Sequence, residues 1–270
     1  MSTPSPLLNF DDPPVVETVL GVEFASLDRW SIPHFGLFWN EIRSEYPRHV
    51  VQAASETLPE RFGEERTKPQ GIRIELLTQP RMRCWFHDAS ESRLIQVQSD
   101  RFAHNWRKRG PTEEYPRYDT IRPRFEAEWR RFCAFVEREQ LGEPSVSQCE
   151  VTYVNQIEQG PAWSSLGDLS KVVTFWTKYN SEQLPEPEGI LTRTTHILPN
   201  LKARFYVELQ HAVRADLKEV LQLSLTVRGR PTSGRLGDVL SWMDEARKAI
   251  VLTFVDLTTP RMHQLWKRRS

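Results

Sequence analysis

The residues best suited to binding chemistry lie in residues 101–131. This segment contains nine Lys or Arg and five Asp or Glu, with aromatic side chains interspersed among the cations. Arginine attracts phosphate and a flat ring stacks on a base, so this composition favours a nucleotide or a single-stranded nucleic acid as ligand. The alternative is a strand edge or loop whose charges are solvated or pair with nearby carboxylates. The candidate binding residues are Arg101, Asn105, Trp106, Arg107, Arg109, Tyr115 and Tyr118.

A second group of polar residues lies in residues 148–157. Alternation along a strand puts Tyr153 and Asn155 on an otherwise apolar face, with Glu150 and Thr152 on the opposite face. Buried polar atoms need hydrogen-bond partners, so Glu150, Tyr153 and Asn155 are candidate lining groups of a pocket on the sheet. The alternative is structural: Tyr153 fills the core with its hydroxyl at an edge, and Asn155 bonds a neighbouring loop.

No catalytic motif is recognisable in the sequence. The chain lacks the Gly-x-x-x-x-Gly-Lys-[Ser/Thr] phosphate loop, the Gly-x-Gly-x-x-Gly turn and the Gly-x-Ser-x-Gly nucleophile elbow. Its seven histidines occur singly, without metal-ligating spacing. We therefore expect no catalytic residue, no metal and no cofactor. A hydrolase whose dispersed site uses carboxylates such as Glu150 and Asp100 is an alternative.

Composition limits the classes of protein to which the chain can belong. The 36 basic and 36 acidic side chains balance to zero, which argues against a strongly basic protein that binds polyanions with its whole surface. No stretch approaches the roughly 20 apolar residues of a membrane helix, and the N-terminus lacks the features of a signal peptide. We expect a cytoplasmic protein that does not bind membranes. Cys84, Cys133 and Cys149 are too scattered for a disulfide framework and suit small buried residues.

The elements that must position these residues occur in the same order twice. Each half is predicted to contain a strand, a helix, three or four strands and a second helix. In the first half, alternation predicts strands at 15–24, 72–76, 82–86 and 95–97, the last with an extension over 102–106. Helical spacing predicts helices from Phe35 to Ile42 and over 118–140, and a polar loop is expected at 52–70. In the second half it predicts strands at 147–157, 190–198, 203–211 and 219–228, with helices over 166–179 and 236–257.

This order predicts an α+β fold. We expect residues 1–14 to precede one unit, 15–270, with pseudo-repeats at 15–141 and 145–260. The economical assembly is a curved, mainly antiparallel sheet of about eight strands with its helices on one face. A saddle like that of TATA-binding protein has this repeated order, and a helix-grip domain is the alternative. Both comparisons concern the fold and carry no function by themselves.

Six stretches resemble, in order, the motifs of a sporadically distributed prokaryotic protein family. They are PPVVETVLGVEF, LFWNEIRSEYP, LIQVQSDRFAHNWRKRG, YPRYDTIRPRFEAEWRRF, SQCEVTYVNQI and TFVDLTTPRMHQLW, and the most specific piece is QCEVTYVN at 148–155. The resemblance covers nearly the whole chain and implies a single unit without implying a mechanism. The family's patchy distribution resembles that of mobile accessory genes, such as defence or toxin–antitoxin components.

Two kinds of function follow from these patterns. The leading hypothesis is a non-enzymatic binding or assembly protein that has a protein partner or forms a homo-oligomer, as an accessory component of a defence or toxin–antitoxin system. The second is a protein that binds nucleic acid or a nucleotide through residues 101–131.

Overall fold

The computed structural model describes residues 8–55, 60, 62, 82–177 and 183–269. The strands in these ranges are β1 (Val15–Phe24), β2 (Arg48–Ala53), β3 (Met82–His87), β4 (Arg93–Gln98), β5 (Arg101–Arg107), β6 (Val146–Glu158), β7 (Leu191–Leu198), β8 (Ala203–Val213) and β9 (Glu219–Gly229). The α-helices are α1 (Ile32–Ile42), α2 (Tyr118–Arg138), α3 (Leu169–Val172), α4 (Leu236–Leu257) and α5 (Pro260–Leu265). All nine strands join one open antiparallel sheet in the order β2-β3-β4-β5-β1-β6-β9-β8-β7. The expected α+β class and antiparallel sheet are confirmed.

Alternation along the strands gives the sheet two chemically different faces. Leu20 and Val22 of β1 are buried beside Phe102 of β5 and Val151 of β6. The intervening positions point the other way and are largely polar, as Glu17 and its neighbours illustrate. We call the first side the helix face and the second the polar face. The central residues of the polar face are Glu17, Glu23, Arg101, Asn105, Arg107, Glu150 and Arg228.

The helices cover the helix face through aromatic side chains. Phe38 of α1 lies 6.0 Å from Phe86, and Trp129 of α2 lies 5.4 Å from Phe102, both measured between ring centroids. Helix α4 packs over β6 and β9. Burying a Phe side chain contributes about 1.5–3 kcal/mol, so this aromatic layer is a principal source of stability.

A buried polar cluster joins α2 to the sheet within this core. Glu128 of α2 lies 2.7 Å from His104 Nδ1 of β5 and also accepts a hydrogen bond from the Tyr46 hydroxyl. All three residues are buried. Burial and the adjacent Glu128 carboxylate raise the pKa of Tyr46, so its hydroxyl stays protonated. The three groups satisfy one another where none can reach bulk water.

The two halves of the chain order their strands in the same way. The first half runs β1-β5-β4-β3-β2 outward from the centre of the sheet, and the second runs β6-β9-β8-β7. The first strand of each half is central, and β1 pairs antiparallel with β6. Consequently the middle of the polar face takes side chains from both halves.

Two features of the sheet differ from the expectation of about eight strands. Strand β2 was not predicted because it is an edge strand exposed on both faces, so its sequence does not alternate between apolar and polar residues. Residues 101–107 form a strand of their own rather than an extension of the one before. The strand predicted at 72–76 lies outside the described residues.

The predicted helix over 166–179 is much shorter in the structure. A single 3₁₀ turn over Leu166–Asp168 leads into α3, which ends at Val172. Val173 is extended and forms a β-bridge with Thr258 just after α4, and Thr174 N donates to Leu257 O. These contacts with the end of α4 replace the next helical turn, which is a tertiary effect that helical spacing cannot predict.

Candidate functional site

A chain of hydrogen bonds crosses four strands of the polar face. Arg83 donates to Gln96, and Gln96 donates in turn to Asn105, over distances of 3.0 and 2.6 Å. Asn105 donates to Glu17, which also accepts from Arg107 Nε at 2.9 Å. Gln96 and Asn105 are both buried. The chain fixes the orientation of two arginines at its ends.

A second polar cluster holds the centre of the face. Glu150 accepts hydrogen bonds from Arg101, at 3.1 Å, and from Arg228. Burial opposes ionisation of Glu150, but Arg101 and Arg228 outweigh this effect and lower the pKa of its carboxyl. Arg101 also donates to Glu23 at 3.1 Å. Glu150 is therefore a fixed negative charge whose role is to hold two arginines.

Strand β3 carries an unusual row of polar groups, which we call the β3 row: Arg83, Trp85 and His87. These alternate residues project from the polar face, and Arg83 Nε, Trp85 Nε1 and His87 Nδ1 are buried atoms for which the described residues supply no hydrogen-bond partner. Leaving such an atom unsatisfied costs about 1–3 kcal/mol. The described part of the chain thus leaves three polar atoms in succession on one strand face without a partner.

Positive charge and an aromatic ring coincide at this row. The guanidinium carbons of Arg83 and Arg107 lie 5.2 and 4.9 Å from the centre of the Trp85 ring. Burial, Arg101 and Arg107 lower the pKa of Arg83, which has no ion pair with a described carboxylate. Burial and Arg109 lower the pKa of His87, which is consequently neutral at pH 7.

A groove of about 950 Å³ lies at the end of the face where β5 and β6 finish. Arg107, Lys108 and Arg109 line one side, and Arg214 and Lys218 of the β8–β9 hairpin contribute to the other. Arg214 and Lys218 pair with Glu158, and Arg107 pairs with Glu17. Of these five cations, Lys108 and Arg109 are the two that form no ion pair with a described carboxylate. Arg107 lines the groove and also contacts Trp85 of the β3 row, so it connects the two.

The chain between β2 and β3 reaches the polar face at three described residues. Ser55 N donates to Gln98, and Glu60 N donates to Gln148 over 2.8 Å. The Glu60 carboxylate accepts from Arg204 and Tyr206 of β8, while the Arg204 guanidinium lies 4.9 Å from the Phe62 ring centre. Burial and Glu60 raise the pKa of Tyr206 to about 12. This contact joins residues far apart in sequence, and no local pattern could have predicted it.

The structure separates the sequence candidates into two groups. Arg101, Asn105, Arg107 and Glu150 lie on the polar face, with Arg109 just beyond its β5 end. Trp106, Tyr115, Tyr118, Tyr153 and Asn155 lie on the helix side.

Trp106 is 3% exposed and packs 5.3 Å from Tyr115, so it is not the ring beside the arginines. Trp85 occupies that place and was missed, although the alternation of Met82, Cys84 and Phe86 already put Trp85 on the opposite face.

The helix-side candidates surround a small cavity. Tyr115, Tyr118, Tyr153 and Asn155 contribute to its lining, and its volume is about 110 Å³. The Tyr115 hydroxyl lies 3.0 Å from the Tyr153 hydroxyl, and Asn155 Nδ2 donates to Leu223 O. These residues therefore have hydrogen-bond partners within the fold and also line a cavity. The partner of Asn155 is the neighbouring strand β9 rather than the expected loop.

The carboxylates considered for hydrolysis have other roles in the structure. Glu150 is held between two arginines, and Asp100 accepts from Gln98 at 2.7 Å. No described histidine contacts either of them. Asp88, next to His87, accepts from Arg93 and Ser90 in the β3–β4 turn. The described residues therefore offer no acid–base pair around Glu150 or Asp100.

Other classes of site are not found in the described ranges. No group of three or more metal-ligating side chains occurs there. The three cysteines are free thiols; burial raises the pKa of Cys84 and Cys133 to about 11 and raises that of Cys149 as well. None of the helices in the described part of the chain combines the length and the apolar character needed to cross a membrane.

Comparisons with protein-family models, curated proteins and solved structures found no match for this chain.

Proposed function

We propose that this protein is a non-catalytic binding protein whose polar face recognises a nucleotide unit, either as a free nucleotide or within a single strand of nucleic acid. The β3 row is the observation that supports this proposal. Within the described residues, two of its donors, Arg83 Nε and Trp85 Nε1, and one His87 nitrogen have no partner, and Arg83 forms no ion pair. A phosphate oxygen accepts hydrogen bonds and carries the complementary charge.

The aromatic component favours a nucleotide over a simple anion. Bases stack on aromatic rings and also on the planes of arginine guanidinium groups. Trp85 supplies one kind of flat surface, and Arg83 and Arg107 supply the other, with each guanidinium carbon within 5.2 Å of the Trp85 ring centre. The adjoining groove, with Arg107, Lys108 and Arg109, provides a path for further phosphates.

Binding to labelled oligothymidylate of about ten nucleotides, measured by fluorescence anisotropy at low salt, tests the proposal. We expect Arg83→Met to weaken binding about tenfold, because it removes a charged donor. Trp85→Phe keeps the ring but removes the indole donor, so we expect a smaller loss. Arg193→Met is the matched control, since Arg193 lies on the same face at the far edge and pairs with Glu208.

The outcomes separate the possible ligands. If thymidine monophosphate binds with the same affinity per phosphate as the oligomer, the ligand is a free nucleotide. If only the oligomer binds, the ligand is a single strand. The proposal is wrong if wild-type protein binds neither, or if Arg83→Met binds as tightly as wild type. Circular dichroism of each variant establishes that it is folded.

Assembly through β7 is a second candidate function, supported by the exposed apolar residues of this edge strand. Leu191 and Ile197 are 67% and 52% exposed. A twofold axis at Thr194 would pair Leu191 with Ile197 of a second copy, in both directions. The same register puts Arg193 opposite Thr195 and His196 opposite Thr192, so no like charges meet. We propose that β7 pairs antiparallel with itself in a homodimer.

Three further proposals concern the whole chain. We propose that the sheet curves as a saddle, which the central position of β1 and β6 supports. We propose a cytoplasmic location, and membership of the sporadic prokaryotic family that the motifs resemble. A role as an accessory protein in defence or toxin–antitoxin systems follows from that resemblance, and co-purification with the products of neighbouring genes tests it.

A further inference from the structure

The tyrosine-lined cavity contains an arginine that forms no ion pair with a described carboxylate. The cavity lies between the start of α2, helix α4 and strands β6 and β9, on the side of the sheet opposite the polar face. Arg247 of α4 contributes to its lining, and Arg247 Nε is buried without a hydrogen-bond partner among the described residues. The guanidinium packs on the Tyr118 ring at 5.0 Å.

The carboxylates near Arg247 do not neutralise it. Asp244, one turn earlier on α4, accepts instead from the Tyr118 hydroxyl and from Arg122 Nε, both at 2.8 Å. Asp119 also lines the cavity but is exposed and forms no ion pair with Arg247. A partly buried cation is costly when, as here, no described carboxylate pairs with it, so an anion from outside the chain would be stabilised at this position.

The tyrosines provide a neutral donor beside this charge. Burial raises the pKa of Tyr115 and of Tyr153, so both hydroxyls keep their protons. The two hydroxyls share one hydrogen bond of 3.0 Å, which uses one of their two protons. The second proton has two acceptors within reach, a ligand oxygen in the cavity and Thr18 Oγ1, which lies beside the Tyr115 hydroxyl.

Apolar side chains also line the cavity and limit the size of the ligand. Leu225, Ile250 and Phe254 contribute to this part of the lining. Its volume of about 110 Å³ is smaller than the roughly 150 Å³ of a cavity that binds benzene, so it accommodates about four to six non-hydrogen atoms.

We propose that this cavity binds a small aliphatic monocarboxylate. The carboxylate lies against Arg247 and accepts a hydrogen bond from the Tyr115–Tyr153 pair, while the alkyl chain contacts Leu225, Ile250 and Phe254. Two arginines line the cavity, but Arg117 already donates to Asn9 Oδ1 and Asp11 O. Arg247 and the apolar walls therefore suit a single negative charge on a short carbon chain better than a phosphate. The site is separate from the β3 row and does not depend on it.

Isothermal titration of the full chain with formate, acetate, propionate, butyrate and hexanoate tests the proposal. We expect affinity to rise with chain length as far as propionate or butyrate and to fall for hexanoate, which exceeds the cavity. Propionamide has nearly the same shape without the charge, so it should bind at least about tenfold more weakly.

Variants of the lining assign the binding to this cavity. Arg247→Met should weaken butyrate binding about tenfold or more, and Tyr153→Phe about threefold. Lys248→Met is the matched control, because Lys248 is the next residue of α4 and its side chain is 52% exposed. Arg247→Lys serves if Arg247→Met does not fold: it keeps the charge and loses Nε, so we expect an intermediate affinity.

Three results would overturn the proposal. They are the absence of saturable binding by any of the five acids, equal binding of propionate and propionamide, or unchanged butyrate affinity in the folded Arg247 variant and in Tyr153→Phe.

Discussion

Arg101 and Glu150 form a 3.1 Å ion pair across β1, the strand that separates theirs in the sheet. The pair passes over Gly21, which lies opposite Glu150 on one side and Ala103 on the other. A Cβ atom at Gly21 would be 3.7 Å from Arg101 and 3.8 Å from the Glu150 Cβ, which is ordinary contact. A glycine here leaves the space through which the two halves of the chain connect.

Residue size at position 21 should therefore control stability. We expect Gly21→Ala to change the free energy of unfolding by less than about 1 kcal/mol, because its methyl group fits. Gly21→Val adds two carbons beyond that methyl group, displaces the Arg101 guanidinium and should cost about 2 kcal/mol or more. Urea unfolding measures both. Equal stability of the two variants would show that the ion pair does not depend on the gap.

The same ion pair predicts a dependence of stability on acid. Because Arg101 and Arg228 outweigh burial, the pKa of Glu150 in the folded protein lies below its ordinary value of 4.5. Its stabilising contribution is complete above about pH 4.5 and is lost as the pH falls through the folded pKa. Glu150→Gln should be less stable at pH 7, and its difference from wild type should shrink below pH 4.5. A constant difference in urea unfolding would contradict this.

Glu128 should couple the energies of His104 and Tyr46. Glu128→Ala leaves two buried groups without their partner and should cost about 3 kcal/mol in the free energy of unfolding. Tyr46→Phe alone should cost less, since it removes one bond. In a double-mutant cycle, the variant that carries both substitutions should lose about 1 kcal/mol less free energy of unfolding than the sum of the two single losses. Additive losses would mean that the hydrogen bond between them contributes little.

His87 should make binding at the β3 row sensitive to pH. Its lowered pKa keeps it neutral in the free protein at pH 7. A bound phosphate favours the charged form and raises this pKa, so binding takes up a proton and affinity should increase as the pH falls from 7.5 to 5.5. A dinucleotide phosphodiester is the suitable ligand because it does not titrate in this range. His87→Gln should abolish the increase, and an unchanged pH profile would exclude His87 from the site.

Self-pairing of β7 predicts a dimer in solution. Size-exclusion chromatography with light scattering should report twice the mass of the 31.6 kDa chain. Ile197→Lys should yield monomers, because it puts a charge into each of the two Leu191–Ile197 contacts. Leu252→Lys is the control, since Leu252 is 44% exposed on α4, away from the edge. A monomeric wild-type protein, or a dimer unaffected by Ile197→Lys, would refute the pairing.

Sequence patterns predicted the elements that have one buried side. Alternation in residues 15–24 and helical spacing in 236–257 coincide with the bounds of β1 and α4 because one face of each contacts the core. Strand β2 has no such face, and the turn after Val172 depends on Thr258. Local sequence patterns reflect which side of an element is buried. They therefore did not predict the edge strand β2 or the end of α3, which depends on a distant contact.

The candidate site was predictable only in part, for the same reason. Alternation placed Asn105 and Arg107 on one face, as the structure has them. Their proximity to Trp85 depends on the β3-β4-β5 strand order, and the contact of Glu60 with Arg204 spans 144 positions. Residue spacing alone therefore does not predict which side chains of distant segments meet, because this depends on strand order and long-range pairing.

The antiparallel pairing of β1 with β6 has a consequence for assembly. If a single half existed as a separate chain, its first strand would have an open edge that could pair with the same strand of a second copy about a twofold axis. In the present chain the pairing of β1 with β6 fills this edge within one molecule. Because the two halves are not copies of each other, they contribute different side chains to the polar face: a cationic, tryptophan-containing row on β3 and the Arg204–Tyr206 pair on β8.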